Sequence, residues 1–140
     1  MRQKINIITL GVSNFKASLN FYKDKLGWKT SPASQDDIAF FPMGGIVFAI
    51  YPIDLLAEDA GVKAEKKGFG GITLSYNAKS EEEVDEVLRT AEKAGAKIQK
   101  KAQKVFWGGY SGYFKDPDGY LWEVAHNPFF AFDKNDNLAI

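Results

Sequence analysis

Residues 5–10 form a β-favouring run, and Ser13 or Asn14 follows where a helix N-cap belongs. Phe15, Leu19, Tyr22 and Leu26 then recur at spacings of 4, 3 and 4, drawing one apolar stripe. The pattern predicts a helix that stops at Gly27, a residue free to take the positive φ of a helix C-terminus, with Trp28 opening an extended segment. Farther on, residues 38–41 and 46–51 are β-branched and aromatic runs on either side of Pro42-Met43-Gly44-Gly45. They predict a hairpin of mostly buried strands.

The second half repeats the order. Residues 72–76 read as a strand, Ser80 with Glu83 as a capping box, and Val84, Val87, Leu88 and Ala91 as one helical face ending at Gly95. Ser13 against Ser80 and Gly27 against Gly95 give offsets of 67 and 68, so the chain reads as two similar modules, each beginning strand-helix. A lysine-bearing strand follows over residues 97–106, and strands 109–115 and 120–126 flank the turn Asp116-Pro117-Asp118-Gly119. Between the modules lie a short helix at 55–60 and a charged, glycine-rich connection. The expected organisation is one α+β domain: module 1 about 1–54, a linker about 55–70, module 2 about 71–126, and a tail 127–140. In that tail Phe129, Phe130 and Phe132 are expected to dock before a frayed end.

Composition narrows the function. At 140 residues and 45% hydrophobic, with eleven Phe, six Tyr and three Trp, the chain carries enough apolar payload for one core, which excludes intrinsic disorder. Eighteen basic side chains balance eighteen acidic ones, so no overall field favours nucleic acid or an anionic membrane. The most apolar stretch, residues 38–53, is broken by Pro42, Gly44, Gly45 and Pro52 and is shorter than the ~20 residues of a spanning helix. No secretory leader is legible at the N-terminus, and the expected compartment is cytoplasmic. Without cysteine, thiolate chemistry is excluded, and His126 is the only imidazole.

Glu123 is the most informative polar residue because it interrupts Leu121-Trp122-Glu123-Val124-Ala125, and an ionised carboxylate is costly to bury unpaired. Period-two geometry puts Leu121, Glu123 and Ala125 on one face, with Trp122, Val124 and His126 on the other. A type I turn with a bulge would set Tyr113 opposite Glu123 and Ser111 opposite Ala125. Glu123 then reads either as a general base or ligand acceptor, or as a structural acid satisfied by a neighbouring donor.

Trp107, Gly108, Gly109, Tyr110 and Tyr113 combine flat faces, hydroxyls and close-approach glycines, as a pocket for a planar molecule or as ordinary core; Phe40, Phe48 and Tyr51 carry the same two readings. His126, on the face opposite Glu123, reads as structural. Asp116 and Asp118 read as turn residues rather than a cation pair. Lys97, Lys100, Lys101 and Lys104 read as a solvated edge defence, and Gly108-Gly109-Tyr110-Ser111-Gly112 lacks a nucleotide-binding setting.

Leu10-Gly11-Val12-Ser13 leading into Ser18-Leu19-Asn20-Phe21-Tyr22 and Leu26-Gly27, with Phe114-Lys115-Asp116-Pro117-Asp118-Gly119-Tyr120-Leu121-Trp122-Glu123-Val124, resembles the vicinal oxygen chelate superfamily. That superfamily holds glyoxalase I, extradiol dioxygenases and bleomycin resistance proteins. The resemblance implies paired βαβββ modules whose curled mixed sheets line a cavity, often completed in a homodimer. It also implies, in many members, a divalent ion held by His, Gln or Glu and acting as a Lewis acid. Carried onto this sequence, the ligand positions fall near Ile7, Phe48, Gly71 and Glu123, of which only Glu123 can donate, whereas a catalytic zinc takes about three protein ligands. The expectation is a metal-free protein binding a small aromatic or hydrophobic organic molecule. The alternative is a metal-dependent lyase, isomerase or dioxygenase of the glyoxalase I type, using Glu123 with Zn, Ni, Mn or Fe.

Overall fold

The computed structural model of the chain describes residue 1 and residues 5–65, 68–70 and 72–139, and it divides into two compact units, Met1–Gly70 and Gly71–Ile140. In the first unit, β1 (Ile7–Val12) runs parallel to β3 (Val47–Pro52), which pairs antiparallel with β2 (Ala39–Pro42), giving the order β1-β3-β2. Gly44 and Gly45, at φ 58° and 109°, close the predicted hairpin with a turn side chains rarely tolerate.

Helix α1 (Phe15–Leu19) is capped by Asn14, whose Oδ1 accepts the Ala17 N–H at 3.0 Å. It continues as a π-helical stretch, Asn20–Lys25, and the Leu26 N–H reaches back five residues to the Phe21 carbonyl at 2.9 Å. The wider turn shifts the helical period, so the buried residues are Ser18, Phe21 and Tyr22, while Phe15, Leu19 and Leu26 of the expected stripe are only half-buried. Tyr22 therefore meets Trp28, Phe48 and Phe41 at ring-centroid distances of 5.1, 4.9 and 6.0 Å, forming the aromatic core of this unit. Residues 28–38 carry no assigned strand where an extended segment was expected; Ser31 N–H to the Phe40 carbonyl and Phe40 N–H to Ser34 Oγ tie this loop to β2 at 2.7 and 3.0 Å. Helix α2 (Ile53–Asp59) comes so close to β1 that a Cβ on Gly11 would sit 3.0 Å from Ile53 Cγ1.

The second unit holds the complete module: β4 (Leu74–Asn77), α3 (Glu81–Ala94), β5 (Lys97–Lys104), β6 (Tyr110–Lys115) and β7 (Leu121–His126). The sheet order is β4-β7-β6-β5, with β4 parallel to β7 and the other pairs antiparallel. Helix α3 buries Val84, Leu88, Ala91 and Ala94, and Val84 and Leu88 together contribute roughly 3–6 kcal/mol of apolar burial. Gly95 ends it in the left-handed conformation at φ 105°. After β7, β8 (Ala131–Phe132) and β9 (Leu138–Ala139) pair antiparallel, so the tail ends in a hairpin instead of fraying. Asp133 Oδ1 closes that hairpin by accepting the N–H groups of Asn135 and Asn137 at 2.8 and 2.9 Å. Among the described residues no helix is long and apolar enough to cross a membrane.

The start of α3 is a capping box with one variation. Ser80 Oγ accepts the Glu83 N–H at 3.2 Å, and the Glu83 carboxylate takes the Lys79 N–H at 2.7 Å together with the Tyr76 hydroxyl at 2.6 Å. Burial and the hydrogen bond to Glu83 raise the Tyr76 hydroxyl from 10.0 to about 12. An unfolded chain would release this proton near pH 10.0 while the folded chain retains it, so the contribution is whole below pH 10.0 and is lost as pH rises through about 12. Urea midpoints of the native protein and Tyr76→Phe should therefore fall with different slopes between those values, the native protein more steeply. Parallel slopes would refute the linkage.

Candidate functional site

The candidate face of the second unit follows from strand register. Lys100 on β5 lies opposite Tyr113 on β6, Tyr113 opposite Glu123 on β7, and Glu123 opposite Ser75 on β4, so four polar side chains form one row across the sheet. Ser75 Oγ donates to Glu123 Oε2 at 3.1 Å, and Tyr113 stands opposite the same residue in the strand register. Burial and the neighbouring Glu123 carboxylate push the Tyr113 hydroxyl up, so it stays a neutral donor at physiological pH. The Lys100 ammonium stands 5.9 Å from the centre of the Tyr113 ring.

A cleft of about 380 Å³ opens on this face, and Lys100, Gln103, Trp107, Ser111, Tyr113 and Glu123 are among the residues that line it. Its rim is the turn after β5, where Val105 N–H bonds the Gly109 carbonyl and Gly108 N–H bonds the Val105 carbonyl, both at 3.0 Å. Trp107 folds back over that turn: a Cβ on Gly109 would lie 1.6 Å from Trp107 Cζ3 and 2.6 Å from the His126 carbonyl oxygen. Gly109 is thus what lets the indole lie flat on the backbone.

Of the residues singled out in the sequence, the structure brings Glu123, Tyr113 and Trp107 together. Tyr110 lies on the helix-facing side, where its hydroxyl donates to Asp85 Oδ1 of α3 at 3.0 Å. Phe40 and Phe48 belong to the first unit, Phe40 half-buried and Phe48 inside the aromatic core at 5% exposure. His126 donates from Nδ1 to the Ala78 carbonyl at 3.2 Å, which fixes its tautomer in a structural contact. Asp116 is buried and accepts the N–H groups of Asp118 and Tyr120 at 3.0 and 2.8 Å, the turn role expected of it. Sequence reasoning missed Ser75, whose parallel register to Glu123 no local pattern marks, and read Lys100 only as an edge charge.

The family model for the glyoxalase/bleomycin resistance protein/dioxygenase superfamily matches residues 4–124. The chain belongs to this superfamily. Among relatives of this glyoxalase-superfamily chain, the uncharacterized protein YraH of Bacillus subtilis is 30% identical over 128 residues, 86% of this chain and 96% of that one. The metallothiol transferase FosB of Shouchella clausii is 32% identical over 128 residues, covering 86% of this chain and 77% of its own. A solved structure, a glyoxalase-related enzyme from Fulvimarina pelagi, superposes with a TM-score of 0.90 at 32% identity, over 99% of this chain and 98% of that one.

The superfamily's metal fits these residues poorly. Ile7 and Phe48 have no donor atom, and Phe48 is enclosed by rings. Gly71 lies outside the described residues and, as glycine, brings no side chain. Among the described residues no three His, Cys, Asp or Glu side chains gather closely enough to hold an ion, and Glu123 already accepts a hydrogen bond from Ser75.

Proposed function

We propose that this glyoxalase-superfamily chain is a metal-independent binding protein that takes a small aromatic or hydrophobic organic molecule into the cleft of its second unit. The observation that carries the reading is the setting of Glu123: its carboxylate accepts from Ser75 beside Tyr113 and Trp107, and among the described residues it has no companion ligands for an ion. Such a site recognises by shape and a few fixed polar atoms, which is how apolar clefts achieve specificity. The glutamate keeps acceptor capacity for one donor on the guest.

The names of the FosB relatives favour a second reading, a metal-dependent enzyme of the glyoxalase I type built around Glu123. Elemental analysis of the dialysed protein separates the two. Substoichiometric zinc, nickel, manganese and iron are expected, together with no thermal shift on adding these ions. Stoichiometric metal that disappears in Glu123→Gln would overturn the proposal. A thermal-shift screen of aromatic compounds supplies the positive arm, because a ligand at a hundredfold excess over Kd stabilises by ~2.7 kcal/mol. Hits are expected to be lost in Trp107→Ala.

A further inference from the structure

We infer that the cleft selects planar organic anions, an aromatic ring bearing a carboxylate or a similar flat anionic group, and that Lys100 sets this preference; the inference rests on the cleft being a ligand site. Two ammonium groups line the cleft, and one of them, Lys104, is ion-paired with Glu81. Among the described residues Lys100 forms no ion pair; its ammonium lies over the face of the Tyr113 ring. Glu123, on β7, accepts a hydrogen bond from Ser75. Of the two ammonium groups on the cleft, Lys100 is therefore the one left to meet an anionic guest.

Geometry separates the two charges. Lys100 and Glu123 stand two strands apart in one row, about 9–10 Å at the backbone, with Tyr113 between them. An anionic group thus meets the ammonium at the β5 side without being forced against the carboxylate, while a hydroxyl or N–H on the far side of the guest can donate to Glu123. The β5–β6 register shifts on both sides of Lys100, between Ile98 and Lys100 and between Lys100 and Gln103, and such irregularities re-aim a side chain out of the regular ladder. Trp107 and the fully exposed Phe106 supply flat surface on the same cleft for the ring.

The test uses the whole chain and a matched pair of probes, 2-naphthoate and its neutral amide, titrated calorimetrically against the native protein, Lys100→Gln and Trp107→Ala. Naphthoate is expected to bind about tenfold tighter than the amide, the discrimination of one charge-assisted contact. That advantage should shrink with added salt and vanish in Lys100→Gln. Equal or tighter binding of the amide, or an advantage that survives Lys100→Gln, overturns the inference while leaving the cleft reading intact if Trp107→Ala weakens both probes. Absence of saturable binding by either probe, or binding indifferent to Trp107→Ala, overturns the cleft reading and the inference with it.

Discussion

Gly112→Ala is expected to destabilise the protein by about 2–3 kcal/mol, the usual range for forcing a methyl into filled space. A Cβ at this position would lie 2.7 Å from Leu88 Cδ1, 2.8 Å from the Ala102 nitrogen and 2.9 Å from the Lys100 carbonyl oxygen. Leu88 can swing its methyl away, but the other two atoms are backbone of β5, so β5 must lift from β6 to admit the methyl. Lys100 belongs to the segment that would lift. The same substitution should therefore weaken naphthoate binding more than amide binding. Gly70→Ala is the control: among the described residues its Cβ meets nothing within 4 Å, and a change within about 0.5 kcal/mol is expected. Urea unfolding at unchanged m-value measures both, and equal midpoints for the two variants would refute the close approach.

Much of this site was legible from local pattern. Counting outward from the Asp116–Gly119 turn places Tyr113 opposite Glu123 and Ser111 opposite Ala125, as the register has them, because a short hairpin leaves few alternatives. Parity was also available for Tyr110: it is three residues from Tyr113, so the two cannot share a face of a regular strand, and Tyr110 bonds Asp85 on the helix side. The helix stops at Gly27 and Gly95 were readable because both need positive φ, and they adopt 76° and 105°.

The remainder depends on contacts the sequence does not display. A π-helical stretch obeys no 3.6-residue period, so a stripe drawn through Phe15, Leu19, Tyr22 and Leu26 could not show that Phe21 and Tyr22 both turn inward. Ser75 reaches Glu123 across 48 residues through parallel pairing, and the glycines at 109 and 112 acquire meaning only once Trp107 and β5 lie upon them. These long-range placements turn a carboxylate in an apolar strand into a hydrogen-bonded group on the wall of a cleft.

Phe48→Ala should produce the largest loss of stability, about 3–5 kcal/mol, as truncation of a buried aromatic does. Phe48 is 5% exposed, and its ring meets Tyr22 edge-on at 4.9 Å, Trp28 edge-on at 5.8 Å and Phe41 at 5.9 Å. Edge-to-face pairs add about 0.5–1.5 kcal/mol each beyond buried area, and none of these neighbours can close the void without leaving its other partners. Phe40, next on β2 to the Phe41 that faces Phe48, is only half-buried and pairs with Ala49, so Phe40→Ala should cost distinctly less. Chemical denaturation of the two variants gives the comparison. If Phe48→Ala cost no more than Phe40→Ala yet abolished naphthoate binding, Phe48 would be a ligand contact and the aromatic core would have to be assigned differently.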